Sequence, residues 1–318
     1  MRYVSLFSGI EAASVAWGPL GWEPVAFAEI EPFCCRVLEE RFPEAPNLGD
    51  VSAIDWSGYE GSVDVVVGGS PCQSFSIAGR REGLAGASGL MWEYVRAVRE
   101  VRPRWLVWEN VPGALSSSGG EDFRCLLLEL DALGYGLAWD VLDAQFFGLA
   151  QRRERLFVVG RLGDIEGPCQ VLFEPESLRW DSPSSKDKRK ALAAGAGRGP
   201  ASAGFNANKP PIVAFAANQR GEVRLQGGDG EVCGAIPASQ SGKQVQGVTD
   251  GYAVRRLTPR ECERLQGFPD DWTRVPWRGK PADRCPDTPR YKAIGNSMAV
   301  PVMRWIGERI AMVEEAVR

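Results

Sequence analysis

The fold is decided by the stretch Val63-Asp64-Val65-Val66-Val67-Gly68-Gly69-Ser70-Pro71-Cys72-Gln73-Ser74-Phe75-Ser76. Its apolar first part is typical of a buried β-strand, and the two glycines and the proline then turn the chain out of that strand. Cys72 therefore follows the carboxyl end of a strand, which is the edge of an α/β sheet where ligands bind. From these residues alone, Cys72 is either a small buried apolar side chain or a nucleophile, and both interpretations stay open.

Strand-like and helix-like segments alternate on both sides of this stretch. The predicted strands cover residues 3–7, 24–28, 63–67, 105–108, 137–142 and 156–159, and the predicted helices cover residues 12–20, 33–42, 90–101 and 123–130. In the third of these helices, apolar side chains recur at the spacing of one helix face, beginning at Met91. This alternation predicts an α/β protein with a mostly parallel sheet that helices cover on both faces.

The character of the sequence changes after Gly160. Residues 182–204 are rich in Ser, Ala, Gly, Lys and Arg, which is typical of a linker or a mobile basic loop. The basic residues of this run include Lys186, Lys188, Arg189 and Lys190. The chain up to residue 250 has only short apolar segments and predicts short strands and turns. A helix start signal follows at Thr258-Pro259-Arg260-Glu261, and residues 299–317 predict a final amphipathic helix.

The composition limits the chemistry that the protein can perform. The chain has 318 residues, eight cysteines and no histidine. A length of about 150 residues per domain predicts about two domains. Without histidine, a Ser-His or Cys-His triad is excluded, and any general acid or base must be Glu, Asp, Lys, Tyr or Cys. Because the sequence also lacks C-x-x-C spacing, it does not favour a zinc site.

The charge and the chain start bear on partners and location. The net charge is −4, which argues against a generally basic surface but leaves nucleic-acid binding open, because the distribution of charge matters more than its sum. The chain has no apolar run of about 18 residues and starts with a strand-like segment rather than a signal peptide. We therefore expect a cytoplasmic protein with free thiols.

Three acidic residues follow predicted strands in an order that suggests a cofactor site. The segment Leu6-Phe7-Ser8-Gly9-Ile10-Glu11-Ala12-Ala13 opens a helix after the first strand, where cofactor-binding turns occur. Glu11 would repel a pyrophosphate there, whereas it is tolerable beside a positively charged sulfonium cofactor. Glu29 ends the second strand, which is where such folds place an acidic residue that binds ribose hydroxyls. Asp50 is expected to follow a third strand and to reach an adenine amine. Each signal alone is as well explained by a tight turn or an exposed acid.

The chain resembles the DNA cytosine-C5 methyltransferase family over nearly its whole length, with the motifs in the family's linear order. These motifs are Phe7-Ser8-Gly9, Glu29, Asp50, Pro71-Cys72-Gln73, Glu109-Asn110-Val111, Gln151-Arg152-Arg153-Glu154-Arg155, Arg256-Leu257-Thr258-Pro259-Arg260-Glu261 with Gln266-Gly267-Phe268-Pro269, and Gly295-Asn296-Ser297 with the final helix. The sequence departs from the first motif, because Ser5 and Glu11 stand where the family usually has Asp and a second Gly. The detailed shape of the cofactor turn is therefore not carried over from the family.

The resemblance implies a fold, an activity and partners. The expected fold is a Rossmann-like methyltransferase sheet in a catalytic domain of residues 1–175 with 288–318, plus a smaller, mostly β or irregular target-recognition domain over 176–287. The implied activity is transfer of a methyl group from S-adenosyl-L-methionine to C5 of a cytosine in a specific double-stranded DNA sequence. We expect a monomer without a metal or a membrane contact, in a bacterial nucleoid or a phage-infected cell, with a cognate restriction endonuclease as a potential partner.

The resemblance also implies which residues form the site. The implied catalytic residues are Cys72, Glu109, Arg153 and Arg155. The implied cofactor-binding residues are Phe7, Ser8, Gly9, Ile10, Glu29, Ile30, Asp50, Val51, Pro71, Asn296 and Ser297. The implied DNA-binding residues are Gln73, Ser76, Arg80, Arg81, Lys186, Lys188, Arg189 and Lys190.

The chemistry of cytosine explains why these residue types are needed. C5 of cytosine is a poor nucleophile, and addition of a thiolate at C6 makes the ring enamine-like and C5 reactive. Glu109 would share a proton with N3, and Arg155 would stabilise charge at O2. The target base must be flipped out of the duplex, and residues 76–89 predict a mobile lid over it.

Three other functions were weighed against this one. A tRNA cytosine-C5 methyltransferase uses the same chemistry, but about eighty residues separate the two motif groups here, which predicts a larger recognition region. The residues Cys72, Glu109 and Arg155 argue against a catalytically inactive DNA-binding relative. An NAD-dependent oxidoreductase is disfavoured because the first turn has no G-x-G-x-x-G and carries Glu11.

Overall fold

The computed structural model describes residues 1–71, 89–173, 213–218, 223–225, 244–249 and 254–317. For residues 213–218, 223–225, 244–249 and 254, the description covers the backbone alone. Cys72, the predicted lid and all of the predicted DNA-binding residues lie outside the described residues. The chain forms two compact units: unit 1 comprises Met1–Leu142, Glu154–Pro175 and Val302–Arg318, and unit 2 comprises Asp143–Arg153 and Glu176–Pro301.

The strands and helices of the described residues are as follows. The strands are β1 (Arg2–Leu6), β2 (Glu23–Ala28), β3 (Val65–Gly68), β4 (Trp105–Asn110), β5 (Tyr135–Asp143), β6 (Glu154–Leu162), β7 (Val213–Asn218), β8 (Val223–Leu225), β9 (Gln244–Thr249) and β10 (Val254–Arg256). The helices are α1 (Ala12–Trp17), α2 (Pro32–Arg41), α3 (Gly89–Val101), α4 (Glu121–Ala132), α5 (Glu166–Leu172), α6 (Pro259–Gln266), α7 (Asp287–Asn296) and α8 (Val300–Val317).

Within the described part of unit 1, the strands form a six-stranded sheet in the order β2-β1-β3-β4-β6-β5. Strands β2, β1, β3 and β4 are parallel, and β6 runs antiparallel to β4. The chain passes from β1 to β2 on one side and then to β3 on the other side of β1. Such a reversal of strand order opens a crevice at the carboxyl ends of the strands, where ligands bind in α/β proteins.

Side chains from alternate strand positions pack on opposite faces of this sheet. One face buries Val4, Leu6, Val66, Leu106 and Trp108 in a core with side chains of α3 and α4. On the other face, Tyr3 meets Trp17 of α1 edge-on, with 5.1 Å between ring centroids. Trp105 Nε1 on that face donates to Glu314 Oε1 of α8 at 3.0 Å. Helices therefore cover both faces, and the predicted α/β class is confirmed.

In its described residues, unit 2 combines a small sheet with the helices α6 and α7. In its described residues the strands form a four-stranded sheet in the order β10-β9-β7-β8, and the pairs β10–β9, β9–β7 and β7–β8 are antiparallel. Helix α6 starts where predicted, because the Thr258 hydroxyl accepts from the backbone N–H of Glu261 and the Glu261 carboxylate accepts from that of Thr258. The fully buried Glu263 of α6 accepts from Arg290 of α7 at 3.1 Å, which ties the two helices together.

Some elements differ from the prediction for identifiable reasons. The third strand that was expected just before Asp50 is not found among the described residues. A single bridge between Phe27 and Asn47 is found in that place. Helices α5 and α7 were not predicted, because each is short and is interrupted by Gly and Pro residues that normally break helices. Unit 2 includes Asp143–Arg153 and ends at Pro301. The predicted recognition domain of residues 176–287 stays a prediction.

Gly307 of α8 is expected to be essential for packing on the sheet. A Cβ atom at this position would overlap Nε1 and Cδ1 of Trp17, whose Nε1 also donates to Met303 O at 2.7 Å. Gly307→Ala should therefore lower the free energy of unfolding by about 1–3 kcal/mol, although alanine is the better helix former by about 1 kcal/mol. Urea denaturation measures this change.

The control for this prediction is the same substitution in a Trp17→Phe background. The smaller ring relieves the overlap, so the cost of Gly307→Ala should fall markedly there. A Gly307→Ala variant that is more stable than the wild type would show that α8 shifts freely, and would contradict the prediction.

Candidate active site

The carboxyl ends of four neighbouring strands bring the motifs of unit 1 to one edge of the sheet. In the parallel register, Leu6 of β1 is paired with Ala28 of β2 and with Gly68 of β3, and Gly68 is paired with Trp108 of β4. Each motif therefore lies at the end of one of these adjacent strands. The cofactor turn follows β1, Glu29 follows β2, and the segment that leads to Cys72 follows β3. Glu109 lies near the end of β4. This is the strand order that the predicted mechanism requires.

The segment before Cys72 is held in place by β4. A Cβ atom on Gly68 would lie 2.8 Å from Leu6 O, so the close pairing of β1 and β3 needs glycine there. Beyond it, Ser70 accepts two hydrogen bonds from β4: Trp108 Nε1 donates to Ser70 Oγ at 3.2 Å, and Asn110 Nδ2 donates to Ser70 O at 3.0 Å. The chain thus leaves β3 in a defined direction, and exposed Pro71 is its last described residue here.

Glu109 and Arg155 form an ion pair at this edge. Arg155 Nε lies 3.1 Å from Glu109 Oε1, and their side chains are only 19% and 12% exposed. The partial burial makes this pair stronger than a surface ion pair and holds the carboxyl group in one orientation. The edge therefore presents a carboxyl group and a guanidinium side by side, as the predicted proton sharing and charge stabilisation require.

The cofactor turn after β1 has an unusual backbone. Phe7, Gly9 and Glu11 all have positive φ, at 53°, 58° and 64°. Gly9 N donates to Glu29 Oε2 at 2.7 Å, so the turn is joined to the end of β2. A Cβ atom on Gly9 would meet nothing within 4 Å, so the turn leaves space for a ligand against the main chain. Ser8 Oγ donates to Ser5 O at 2.8 Å and closes the turn.

Glu29 and Asp50 are placed to accept hydrogen bonds. Glu29 Oε1 accepts from the N–H groups of Ile30 and Glu31, while the only donor to Oε2 in the described chain is Gly9 N, which leaves an acceptor direction for a ribose hydroxyl. Ile30 is 68% exposed, so its side chain is accessible to a cofactor. Hydrogen bonds from the Ser52 N–H and hydroxyl lower the pKa of Asp50 and keep it ionised.

Two of the predicted cofactor residues have buried side chains. Ile10 is fully buried and Val51 is 4% exposed, so each would meet a cofactor through its main chain. Together, the open space at Gly9, the remaining acceptor of Glu29, the ionised Asp50 and the exposed Ile30 fit a nucleoside cofactor. These four residues would hold S-adenosyl-L-methionine in unit 1 together with the main chain at Ile10 and Val51, and this assignment stays a prediction.

Asn47 is a site residue that the sequence analysis missed. Glu29 N donates to Asn47 Oδ1 at 3.0 Å, and Asn47 Nδ2 donates to Glu29 O at 3.0 Å. Asn47 Oδ1 also accepts from Gly49 N at 3.3 Å, just before Asp50. One amide thus positions the main chains on both sides of the cofactor site. The signal in the sequence was Asn47-Leu48-Gly49, since asparagine followed closely by glycine is typical of such turns.

Glu11 is buried beneath the cofactor turn. It is 1% exposed, and its Oε1 accepts from the N–H and the hydroxyl of Ser14, so that it caps helix α1. Ser14 Oγ in turn lies 2.5 Å from Tyr3 Oη. Burial raises the pKa of Glu11 to about 7, against the opposing effect of hydrogen bonds from Ser5 and Ser14. The carboxyl group therefore acts as a structural cap in which the neutral form is favoured.

Three more predicted site residues of the described chain, Arg153, Asn296 and Ser297, lie in unit 2. Arg153 is 3% exposed, and its Nη2 donates to Gly295 O at 3.2 Å and to Ser297 O at 2.6 Å. These contacts make Arg153 a positioning residue for the segment with Asn296 and Ser297, and its catalytic role stays a prediction. Asn296 is exposed and Ser297 is buried.

The sequence matches a known family along most of its length. The sequence model of the C-5 cytosine-specific DNA methylase family matches residues 1–194 and 208–312. The chain belongs to this family. Membership places it among the DNA cytosine methyltransferases, whose methyl donor is S-adenosyl-L-methionine, and the predicted family and cofactor are confirmed.

Individual relatives share about a third of the residues. A DNA N-6-adenine-methyltransferase of Escherichia phage P1 is 32% identical over 97% of this chain and 61% of that protein. The type II methyltransferase M2.BsuMI of Bacillus subtilis (strain 168) is 31% identical over 98% of this chain and 75% of that protein. The chain thus spans 61% of the length of the phage P1 relative, and the printed activity of that longer protein is not carried over.

The fold also matches a solved methyltransferase. The crystal structure of S. pombe Dnmt2 methyltransferase aligns with a TM-score of 0.64 over 100% of this chain and 99% of that chain, at 18% identity. Among the described residues, no helix is long and apolar enough to cross a membrane. Nor do the side chains described here group three His, Cys, Asp or Glu residues in a way that could bind a metal.

Glu11→Gln is expected to remove a pH dependence of stability. Because the pKa of Glu11 is higher in the folded protein (about 7) than its ordinary value of 4.5, the folded state holds the proton more tightly. Wild-type stability should fall as the pH rises from about 4.5 to about 7, by on the order of 3 kcal/mol. Glutamine mimics the neutral acid and should not show this loss.

The measurement is urea unfolding of both proteins at about pH 5 and about pH 8. Glu44→Gln, which removes an exposed carboxylate, is the control and should follow the wild type. Equal pH dependence in Glu11→Gln and the wild type would show that Glu11 is ionised throughout.

Asn47→Ala should weaken cofactor binding. Loss of the hydrogen bonds to Glu29, at about 1 kcal/mol each, should raise the Kd for S-adenosylhomocysteine by about tenfold or more. Isothermal titration calorimetry measures this affinity. The KM for S-adenosyl-L-methionine should rise while kcat at saturating cofactor is retained. The reason is that Asn47 positions Glu29 and is not among the residues proposed to contact the target cytosine.

Asn47→Asp is the matched variant for this test. It keeps the acceptor for the N–H groups of Glu29 and Gly49 and loses the donor to Glu29 O, so its affinity should lie between those of Asn47→Ala and the wild type. An unchanged Kd in a folded Asn47→Ala variant would rule out the positioning role.

Proposed function

We propose that this chain methylates C5 of a flipped-out cytosine in a specific double-stranded DNA sequence, through a covalent bond between Cys72 and C6. The observation that carries the proposal is the parallel pairing of β3 with β4. It puts the strand that leads to Cys72 beside the strand that contains Glu109. The cofactor turn follows β1 on the other side of β3, so one edge of the sheet would serve both substrates.

Cys72 supplies the nucleophile in this mechanism. Its thiolate adds to C6 of the cytosine, and the electron pair of the C5–C6 double bond becomes available at C5. When bound, the cofactor would supply a methyl group from its sulfonium, whose sulfur would keep the electron pair of the broken S–CH3 bond and leave as a neutral thioether. A base then removes the proton from C5, and the bond between Cys72 and C6 breaks, which restores the aromatic ring.

Glu109 and Arg155 act on the opposite side of the ring. Addition of the thiolate drives negative charge onto N3 and O2, and Glu109 would share its proton at N3. Arg155 holds the Glu109 carboxyl group at 3.1 Å and would stabilise charge at O2. Loss of a donor of this kind costs on the order of 3 kcal/mol in the transition state. Arg153 is proposed as a further catalytic residue, and within unit 2 it holds the main chain at Gly295 and Ser297.

DNA binding and base flipping belong to the same proposal. A cytosine inside a duplex cannot be reached by a thiolate, so the base must leave the stack. Residues 76–89 would close over it, and residues of the recognition region would read the sequence. The DNA-binding residues that we propose are Gln73, Ser76, Arg80, Arg81, Lys186, Lys188, Arg189 and Lys190. A monomer, and a cognate endonuclease as partner, complete the proposal.

Adenine N6 methylation is the alternative that the phage P1 relative raises. An exocyclic amine attacks a sulfonium directly and needs no thiol nucleophile. The Pro71-Cys72-Gln73 motif and the Glu109–Arg155 pair therefore favour cytosine. Mass spectrometry of nucleosides from treated DNA and from treated tRNA separates 5-methylcytosine in either nucleic acid from N6-methyladenine.

Duplex DNA with 5-fluorocytosine should trap the enzyme covalently. The fluorine on C5 cannot leave as a proton does, so the bond between Cys72 and C6 should persist in the presence of S-adenosyl-L-methionine. The expected result is a complex that survives denaturing electrophoresis on DNA containing target sites, together with 5-methylcytosine on unmodified DNA.

The matched control uses a second cysteine. Cys125→Ala removes a free, partly buried thiol of α4 and should leave trapping intact, whereas Cys72→Ala should abolish it. A complex that persists in Cys72→Ala would eliminate the proposed nucleophile, and the absence of any complex on target-rich DNA would eliminate the mechanism.

A further inference from the structure

A tight hairpin turn in unit 2 carries two basic residues that the proposed mechanism does not use. The turn is Trp277-Arg278-Gly279-Lys280. Trp277 N donates to Lys280 O at 2.9 Å, and Lys280 N donates to Trp277 O at 3.0 Å. Arg278 and Gly279 have φ values of 49° and 74°, and positive φ at both central residues is the mark of a type I′ turn. The backbone at the tip is therefore well defined.

Arginine is a poor choice for the first central position of such a turn. Asparagine, aspartate and glycine dominate there, because a residue with a long side chain costs about 1–2 kcal/mol in the left-handed region. Gly279 fits its position, whereas Arg278 does not. Turn formation therefore does not account for the arginine at position 278.

The charges of Arg278 and Lys280 are available to a partner. Both residues are exposed, and neither makes an ion pair with any residue that the structure describes. The Arg278 guanidinium carbon lies 5.4 Å from the centroid of the Trp277 ring, which limits the directions that the side chain takes.

Nearby arginines contrast with these two residues. Arg260 and Arg264 form ion pairs with Asp271 and Asp270 respectively. Arg274 is 3.7 Å from Asp271 and donates to Ala282 O at 3.3 Å. Their charges are thus already compensated. Arg278 and Lys280 differ from these three arginines, because neither forms an ion pair with a described residue.

We propose that Arg278 and Lys280 form a binding site for the phosphate backbone of double-stranded DNA. This inference rests on the proposed function, since DNA is then the polyanion that the protein must hold. Arginine and lysine donate to phosphate oxygens without reading the sequence, and a stiff turn holds them with little loss of entropy. In a chain of net charge −4, such local sites must provide the attraction for DNA.

The salt dependence of DNA binding tests the site. Each phosphate contact contributes about 0.9 to the slope of log Kd against log salt concentration. The double variant Arg278→Asn with Lys280→Gln should reduce this slope by about 1.8 and weaken binding equally on target and non-target duplexes. Asparagine suits the first turn position, so the variant should unfold at the same or a higher urea concentration than the wild type.

Two further variants control for charge and for fold. Arg278→Lys keeps the charge and should retain most of the wild-type slope. Arg102→Asn also removes an exposed arginine with positive φ (48°), and it lies before β4, at the opposite end of the strand from Glu109. This variant should bind DNA as the wild type does.

The outcomes separate this inference from the proposed function. If the double variant keeps the wild-type slope and affinity, the hairpin does not bind DNA, and an acidic protein partner becomes the hypothesis to examine. If wild-type protein forms no 5-methylcytosine, the proposed function fails, whatever the hairpin does. A loss of affinity on target duplexes alone would mean that the hairpin reads bases and would overturn a backbone site.

Discussion

The parallel pairing of β1, β3 and β4 is the constraint on which the rest of this structure depends. The pairing needs Gly68, because any side chain there would collide with the Leu6 carbonyl at 2.8 Å. Once the three strands are in register, their carboxyl ends are adjacent, and no other contact is needed to bring them together. This places the cofactor turn next to the segment before Cys72, and that segment next to Glu109. One backbone contact therefore stands behind the candidate site, and this explains why β3 ends on a glycine.

Hydrogen bonds of the main chain and of buried or half-buried polar side chains hold the cofactor side of the candidate site. Glu29 is joined to the turn through Gly9 N at 2.7 Å, and Asn47 holds the main chain of Glu29 on both sides. Glu11 caps α1 from inside the protein. Such groups define geometry because buried polar atoms must keep their partners, whereas apolar contacts tolerate small shifts.

The order of the motifs was sufficient to predict the family, and the alternation of segments predicted the α/β class, the strand that Glu29 follows and the strand that contains Glu109. Local patterns did not predict Asn47, α5 or α7, because a single polar residue and short helices with Gly and Pro have no periodicity to detect. They also gave Asp50 a preceding strand where a single bridge is found. Arg153 and Arg155 look equivalent in sequence, yet one binds main-chain carbonyls and the other binds Glu109.

The sequence by itself determined which residue types are present and where the long, periodic strands and helices lie, since these follow from periodicity and from turn-forming residues nearby in the chain. It also determined the absence of histidine, which limits the proposed catalysis to other groups such as a thiol and a carboxyl group. Only the tertiary structure decided which side chains meet. The pairing of Arg155 with Glu109 spans 46 residues and depends on the antiparallel register of β6 on β4, which no local pattern contains.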